Sequence, residues 1–238
     1  MKGVLLAGGT GSRLRPLTNI INKHLLPVGE YPMIHYGICK LKEAGIEDIV
    51  LIIGKQSAGL YIDYLGGGSE FGVRLTYKVQ ERAGGIAEAL ALASGYMVPG
   101  EKFIVLLGDN LFSGSLLPYV HEFNEQPEGA KVILTKVEDA RRYGVPVMRN
   151  GQIISIIEKP SMPPSDYCVT GIYFYDTKVF ELIEASAPSA RGEMEITDIN
   201  NKYAAVGLLT YGLMDGWWTD AGTFESLLEA GAVLREGE

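Results

Sequence analysis

Cysteine is nearly absent from this chain of 238 residues: Cys39 and Cys168 are the only two. They fit no metal-ligand spacing and make no disulfide framework, which points to a reducing, cytoplasmic setting. Long apolar runs are missing too. The N-terminus, MKGVLLAGGTGSR, has an apolar stretch only from Val4 to Ala7, too short for a signal peptide or a membrane span. No internal repeat, low-complexity tract or heptad run occurs. Basic charge is in deficit, with a formal net charge of −8, which argues against non-specific binding to nucleic acid or anionic membranes. Acid, in turn, is missing from one place. Residues 1–29 hold Lys2, Arg13, Arg15 and Lys23 and no Asp or Glu. A small anionic ligand would explain that segment, and so would chance clustering on a solvated face.

What is present suits a folded enzyme-sized domain. Hydrophobic residues reach 47 % and charged residues 21 %, enough for a sizeable core. The pattern predicts strands at Lys2–Ala7, Asp48–Ile53, Val73–Val79 and Lys102–Leu107. Helices at Pro32–Ala44, Ala58–Leu65 and Gly85–Ser94 alternate with them. Such alternation implies an α/β fold, a mostly parallel Rossmann-like sheet with helices on both faces. The second half is more mixed. Strands are expected at Ala130–Val137, Gln152–Ile157, Tyr167–Tyr175 and Leu208–Met214, and helices at Thr177–Ile183, Met194–Ala204 and Thr223–Leu234. No linker separates independent domains, so the expectation is a single domain, 1–238, with a small mixed lobe.

The sharpest local signal follows the first strand: Leu6-Ala7-Gly8-Gly9-Thr10-Gly11-Ser12-Arg13. Glycines let successive N–H groups form an anion-binding concavity, and Arg13 adds a charged fork for phosphate oxygens. Lys23 could add a point charge if the chain folds back. No Gly-Lys-Ser/Thr closes the loop, so it is not a Walker A loop, and the glycines miss the dinucleotide fingerprint. A purely structural turn stays open. Two acids stand at strand–turn junctions, Asp109 in LGDN and Asp220 in WWTDAGT. Together they could hold Mg²⁺ with substrate phosphates; singly, each reads as a turn former or helix cap. Ile157-Glu158-Lys159-Pro160 is either a solvated ion pair or a grip on sugar hydroxyls and phosphate. Gln80 could read a pyrimidine edge or lie on the surface.

LAGGTGSRLRPLT followed by Lys23-His24-Leu25-Leu26-Pro27-Val28 resembles the signature of the sugar-1-phosphate nucleotidyltransferases. Within them it is most similar to the glucose-1-phosphate thymidylyltransferases, in a short form that stops soon after the WWTDAGT segment. The likeness spans residues 1 to about 235, in order. It implies that the glycine loop (Leu6, Gly8, Gly9, Thr10, Gly11) wraps a triphosphate, with Arg13 and Lys23 on phosphates. LGDN and W-x-D-x-GT imply Mg²⁺ on Asp109 and Asp220. The family's V-Q-x-x-x-x-G-I/L-A segment implies that Gln80 and Gly85 meet the base. Glu88, where relatives often carry Gln, sits on a helix flank with no role assigned.

On the sugar side the resemblance implies Asn110, Tyr143, Gly144, Glu158, Lys159, Val169 and Trp218. Ile157 replaces the first Glu of the family's E-E-K-P, and strand alternation would turn it to the core. Pro146, after the R-Y/F-G-V match at Arg142–Val145, would interrupt strand pairing. Ser189-Ala190-Arg191-Gly192-Glu193-Met194-Glu195-Ile196-Thr197-Asp198 is very family-like and is expected to be structural, an exposed turn and then a helix near the rim.

The implied reaction joins dTTP and glucose 1-phosphate into dTDP-glucose and pyrophosphate, residues 1–110 serving mainly the nucleotide and 111–238 mainly the sugar. The partners are these small molecules, with no nucleic acid and no membrane; a homo-oligomer stays open, while feedback control and the tetramer of long forms are in doubt. UTP as substrate, a non-catalytic nucleotide-sugar sensor, and an NAD(P) oxidoreductase are the rivals. The last lacks a clean fingerprint and has Gly54-Lys55 where an acid would stand after the second strand.

Overall fold

In the first strand, β1 (Lys2–Ala7), neighbouring side chains leave the sheet on opposite faces, and both faces are buried. Val4 and Leu6 enter one core, Leu5 and Ala7 the other. The structure, a computed structural model, describes residues 1–189 and 191–236. After β1 come β2 (Pro27–Val28), β3 (Tyr31–Pro32), α1 (Met33–Glu43), β4 (Asp48–Gly54), α2 (Ala58–Leu65), β5 (Arg74–Gln80), α3 (Ile86–Ala91) and β6 (Lys102–Leu107). The second half continues with β7 (Asn110–Phe112), α4 (Leu117–Glu125), β8 (Ala130–Lys136), β9 (Gly144–Arg149), β10 (Gln152–Glu158) and β11 (Tyr167–Asp176). It ends with α5 (Lys178–Glu184), α6 (Ile196–Ala205), β12 (Leu209–Leu213), β13 (Trp218–Asp220) and α7 (Phe224–Glu236).

Seven strands form the central sheet in the order β12-β8-β11-β6-β1-β4-β5. Every pairing in it is parallel except the two made by β11. Helices α1, α2 and α4 cover one face through Ile34, Ile38, Leu41, Tyr61, Leu65 and Phe123. The other face is covered by α3, α5 and α6 through Leu90, Val179, Ile183, Ile199 and Tyr203. The expected single α/β domain with a mostly parallel sheet is what the chain adopts.

Two local expectations give way, and a third feature is one the sequence did not suggest. Pro146 does not break pairing: it lies in β9 opposite Ile156 of β10. β9 has no other ladder partner, so alternate N–H groups face away from the pair, where a proline loses nothing. Ile157 is not in the core; it is 43 % exposed, while Ile156 is buried. A register shift between Ile153 and Ser155 resets the alternation that placed Ile157 inside. Third, β7 and β13 pair with each other, Asn110 opposite Asp220 and Phe112 opposite Trp218. Strands of three residues leave no periodic trace in a sequence.

Candidate active site

The glycine loop emerges from the C-terminal end of β1, near the centre of the sheet, where open α/β sheets bind ligands. Gly11 sits at φ 63°, and a Cβ there would lie 2.9 Å from the Thr18 side chain and 3.0 Å from Lys23 Cβ. Its carbonyl accepts from the Leu14 N–H at 2.9 Å and the Thr18 hydroxyl at 2.8 Å, closing the turn. Gly9 and Thr10 are exposed, Gly8 and Gly11 half-buried. Leu6 is different: its side chain belongs to the core and its carbonyl accepts the Gly108 N–H at 2.9 Å.

The chain does fold back to bring Lys23 under this loop, and a residue passed over in the sequence makes it do so. Asn22 donates from Nδ2 to Gly9 O at 3.0 Å, while its Oδ1 accepts the His24 N–H at 3.0 Å and the Tyr61 hydroxyl at 2.9 Å. Lys23 Nζ then forms an ion pair with Asp109 Oδ2, both side chains close to nine-tenths buried. Burial alone would raise the Asp109 carboxyl, but the charge of Lys23 and the hydrogen bonds from Lys23 and Asn110 hold it well below the usual range. His24, buried and beside Lys23, is pushed down to about 3 and stays neutral.

Asp220 closes the other wall. The β7–β13 ladder sets it opposite Asn110, and the Ala221 N–H donates to Asp109 O at 2.9 Å. Asp220 Oδ2 lies 3.6 Å from Arg13 Nη2. Its Oδ1 is buried and has no hydrogen-bond partner among the described residues. Burial and the Asp109 charge push its pKa upward. Asp220 caps no helix, because Thr223 Oγ1 accepts the Ser226 N–H at 3.2 Å at the start of α7. An orphaned carboxylate oxygen beside a second carboxylate fits a hard cation. Among the described residues no group of three or more His, Cys, Asp or Glu could hold a metal ion, so the shell would need oxygens from a ligand.

Asn110 is the hinge between the two sides of the cleft. Its Oδ1 accepts from Trp218 Nε1 at 2.8 Å and from the Gly171 N–H at 2.7 Å, and its Nδ2 donates to Asp109 Oδ1 at 3.1 Å. Tyr143 packs edge-on against Trp218 with centroids 5.4 Å apart. Val169, half-buried on β11, precedes Gly171 by two residues. Lys159 lies at φ 46°, a strained conformation for a residue with a Cβ, held by its N–H donating to Tyr143 O at 3.0 Å. Its Nζ is 3.2 Å from Glu158 Oε1. Gly144 faces the same carboxylate: a Cβ there would sit 3.5 Å from Glu158 Oε2.

The family-like stretch at 189–198 does more than form a turn, although Ala190 lies outside the described residues. Thr197 Oγ1 donates to Glu158 Oε2 at 2.6 Å, and Arg191 Nη2 lies 3.6 Å from Glu158 Oε1 and 2.7 Å from Glu195. Met194 ties the same stretch to the loop after β5, its N–H donating to Gly84 O at 2.8 Å and its carbonyl accepting from the Ala87 N–H at 3.1 Å. Gly85 is at φ 103°, where a Cβ would meet Met194 O at 2.6 Å. Gln80, at the end of β5, is buried, its Oε1 2.4 Å from where a Gly8 Cβ would stand. In sequence the whole stretch is expected to be structural, an exposed turn and then a helix, and nothing local marks the reach of Arg191 and Thr197 to Glu158.

Comparison with known proteins agrees with this architecture. The model of the nucleotidyl transferase family matches residues 2–237. The glucose-1-phosphate thymidylyltransferase of Neisseria meningitidis is 40 % identical over 239 residues, covering 99 % of this chain and 83 % of that protein. A crystal structure from Bacillus anthracis, provisionally named glucose-1-phosphate thymidylyltransferase and in complex with a sucrose, is 56 % identical with a TM-score of 0.95. It covers 99 % of this chain and 96 % of that one. A UDP-glucose pyrophosphorylase complexed with UDP-glucose shares the fold, at a TM-score of 0.87 and 24 % identity over 100 % and 99 % of the two chains. The chain belongs to the nucleotidyl transferase family.

Proposed function

We propose that the protein is a glucose-1-phosphate thymidylyltransferase, transferring the nucleotidyl group of dTTP to glucose 1-phosphate with release of pyrophosphate. The observation that carries this is the meeting of four charged groups from distant parts of the chain: Lys23 on Asp109, and Arg13 at 3.6 Å from Asp220, beneath one glycine loop. Curated relatives about 40 % identical over nearly the whole chain carry that name, which supports the same reading.

In this reading the backbone from Leu6 to Gly11 wraps the triphosphate, and Gln80 and Gly85 meet the base. Arg13 and Lys23 neutralise charge on the β- and γ-phosphates. Glu158 accepts hydrogen bonds from sugar hydroxyls, and Lys159 and Arg191, flanking that carboxylate, hold the sugar phosphate. Asn110, Tyr143, Gly144, Val169 and Trp218 shape the sugar pocket. Asp109 and Asp220 would hold Mg²⁺, which supplies charge neutralisation at the reacting phosphate when bound.

A phosphate oxygen of glucose 1-phosphate attacks the α-phosphorus in line. The new P–O bond forms as the Pα–O–Pβ bond breaks, and its electron pair leaves with pyrophosphate. The attacking oxygen is already ionised, so no side chain need remove a proton; positioning and fixed positive charge lower the barrier. The setting is cytoplasmic, where both substrates occur. The test is pyrophosphate release from dTTP. It is expected only when glucose 1-phosphate and Mg²⁺ are both present; release that ignores glucose 1-phosphate would reject the reading.

A further inference from the structure

Glu88, on the first turn of α3, was left without a role by the sequence, yet its carboxylate reaches into the base side of the cleft. It lies over Gly84, where a Cβ would meet Glu88 Oε2 at 2.1 Å. Its Oε1 is 3.4 Å from Gln80 Nε2, and its Oε2 accepts from Arg82 Nη2 at 3.1 Å. Gln80 Nε2 also faces Gly85 O at 3.5 Å. The two hydrogens of the Gln80 amide are therefore directed at two protein acceptors. Its Oε1 points the other way, toward Gly8, and accepts no hydrogen bond from the described residues.

A glutamine amide can be turned over at little steric cost, so its orientation is set by its neighbours. Both contacts to Nε2 are long, but the reversed amide is worse than the sum of two weak bonds suggests. It would set Oε1 against a carboxylate and a carbonyl in a buried site, acceptor against acceptor. Glu88 thus removes one of the two faces that Gln80 could otherwise show.

We propose that Glu88 is a positioning residue for base selection: it fixes Gln80 so that the cleft offers an acceptor and no donor. The nucleotide it selects is a pyrimidine triphosphate with a ring N–H at position 3, as in thymine and uracil. Cytosine presents a lone pair at that position and would face Oε1 acceptor to acceptor. This inference rests on reading the cleft as the nucleotide site. It concerns selection between bases, whereas the proposed reaction stands or falls on turnover itself.

The experiment measures kcat/KM for dTTP and dCTP in the wild type, Glu88→Met, Glu88→Ser and Glu88→Gln. Met puts a weakly accepting thioether in place of the carboxylate and Ser is too short to reach Gln80 Nε2, so both free the amide to turn; Gln offers either an acceptor or a donor. The dTTP-over-dCTP ratio is expected to fall about tenfold in Glu88→Met and Glu88→Ser, with the KM for glucose 1-phosphate unchanged. Glu88→Gln, which can accept from either orientation's donor or donate to its acceptor, should lose part of the ratio and fall between wild type and the other variants, a graded response that a merely structural role would not track. Should Met fail to fold, the smaller Ser variant decides. A ratio within threefold of wild type in the folded variant overturns the proposal. If the wild type turns over neither nucleotide, the proposed reaction fails on its own, and the same ratio is read from equilibrium binding of dTTP and dCTP.

Discussion

The two walls of the cleft handle charge in opposite ways. On the wall proposed to meet the nucleotide, Lys23 and Asp109 are 12 % and 11 % exposed in their side chains and pair directly. On the wall proposed to meet the sugar, Glu158, Lys159 and Arg191 are 30 %, 49 % and 46 % exposed. Asp109 follows β6 in the middle of the sheet and Lys23 sits on a short helical turn capped by Asn22, whereas Glu158 and Lys159 end a two-stranded hairpin beside the sheet and Arg191 precedes α6. Charges in a dry, rigid setting are aligned before substrate arrives and act on developing charge. Charges in water, screened and mobile, serve better to hold a soluble ligand than to stabilise a transition state. The difference assigns chemistry to one wall and affinity to the other.

That division can be broken by separating turnover from affinity. Lys23→Gln, at the buried cation of the first wall, is expected to have the largest effect, lowering kcat by about 10²–10³ while the KM for glucose 1-phosphate moves less than about threefold. Equal losses in both would place Lys23 in ground-state binding. Lys159→Ala should do the reverse, raising that KM about tenfold with the affinity for dTTP unchanged. Thr197→Val removes the 2.6 Å bond to Glu158 and should raise the same KM about fivefold, measured by steady-state kinetics. A fall in kcat alone would mean that Glu158 serves chemistry.

The smallest effect concerns His24, at the back of the buried wall. Its folded pKa is depressed to about 3 from 6.5, so the neutral ring is favoured by folding. Its contribution is complete above pH 6.5 and is lost as pH falls toward 3, because the unfolded chain takes up the proton first. Ring ¹⁵N shifts should therefore stay at neutral values from pH 8 to about pH 4. A midpoint near 6.5 would show that the wall is wet.

The same contrast explains what the sequence made legible. Strands β1, β4 and β6 are apolar on both faces because helices cover both, so they stand out as uninterrupted runs bounded by polar or glycine residues. The glycine loop and Asp109 could be named because each ends such a run, and Asp220 because its WWTDAGT segment resembles a family motif. Their convergence could not, since it depends on two three-residue strands and on the bonds of Asn22. On the hairpin side the signal is poorer. One register shift put Ile157 in the wrong place, and Arg191 and Thr197, like Glu88 on the opposite wall, make their contacts across the fold, which no local pattern records.

The central claim is that Asp109 and Asp220 share one cation with a bound triphosphate. Mn²⁺ titrated into the protein with dTTP, followed by electron paramagnetic resonance, tests it most directly. One tight site is expected in the wild type, weakened more than about tenfold in both Asp109→Asn and Asp220→Asn. A folded variant of either kind that binds Mn²⁺ as tightly as the wild type would contradict the account.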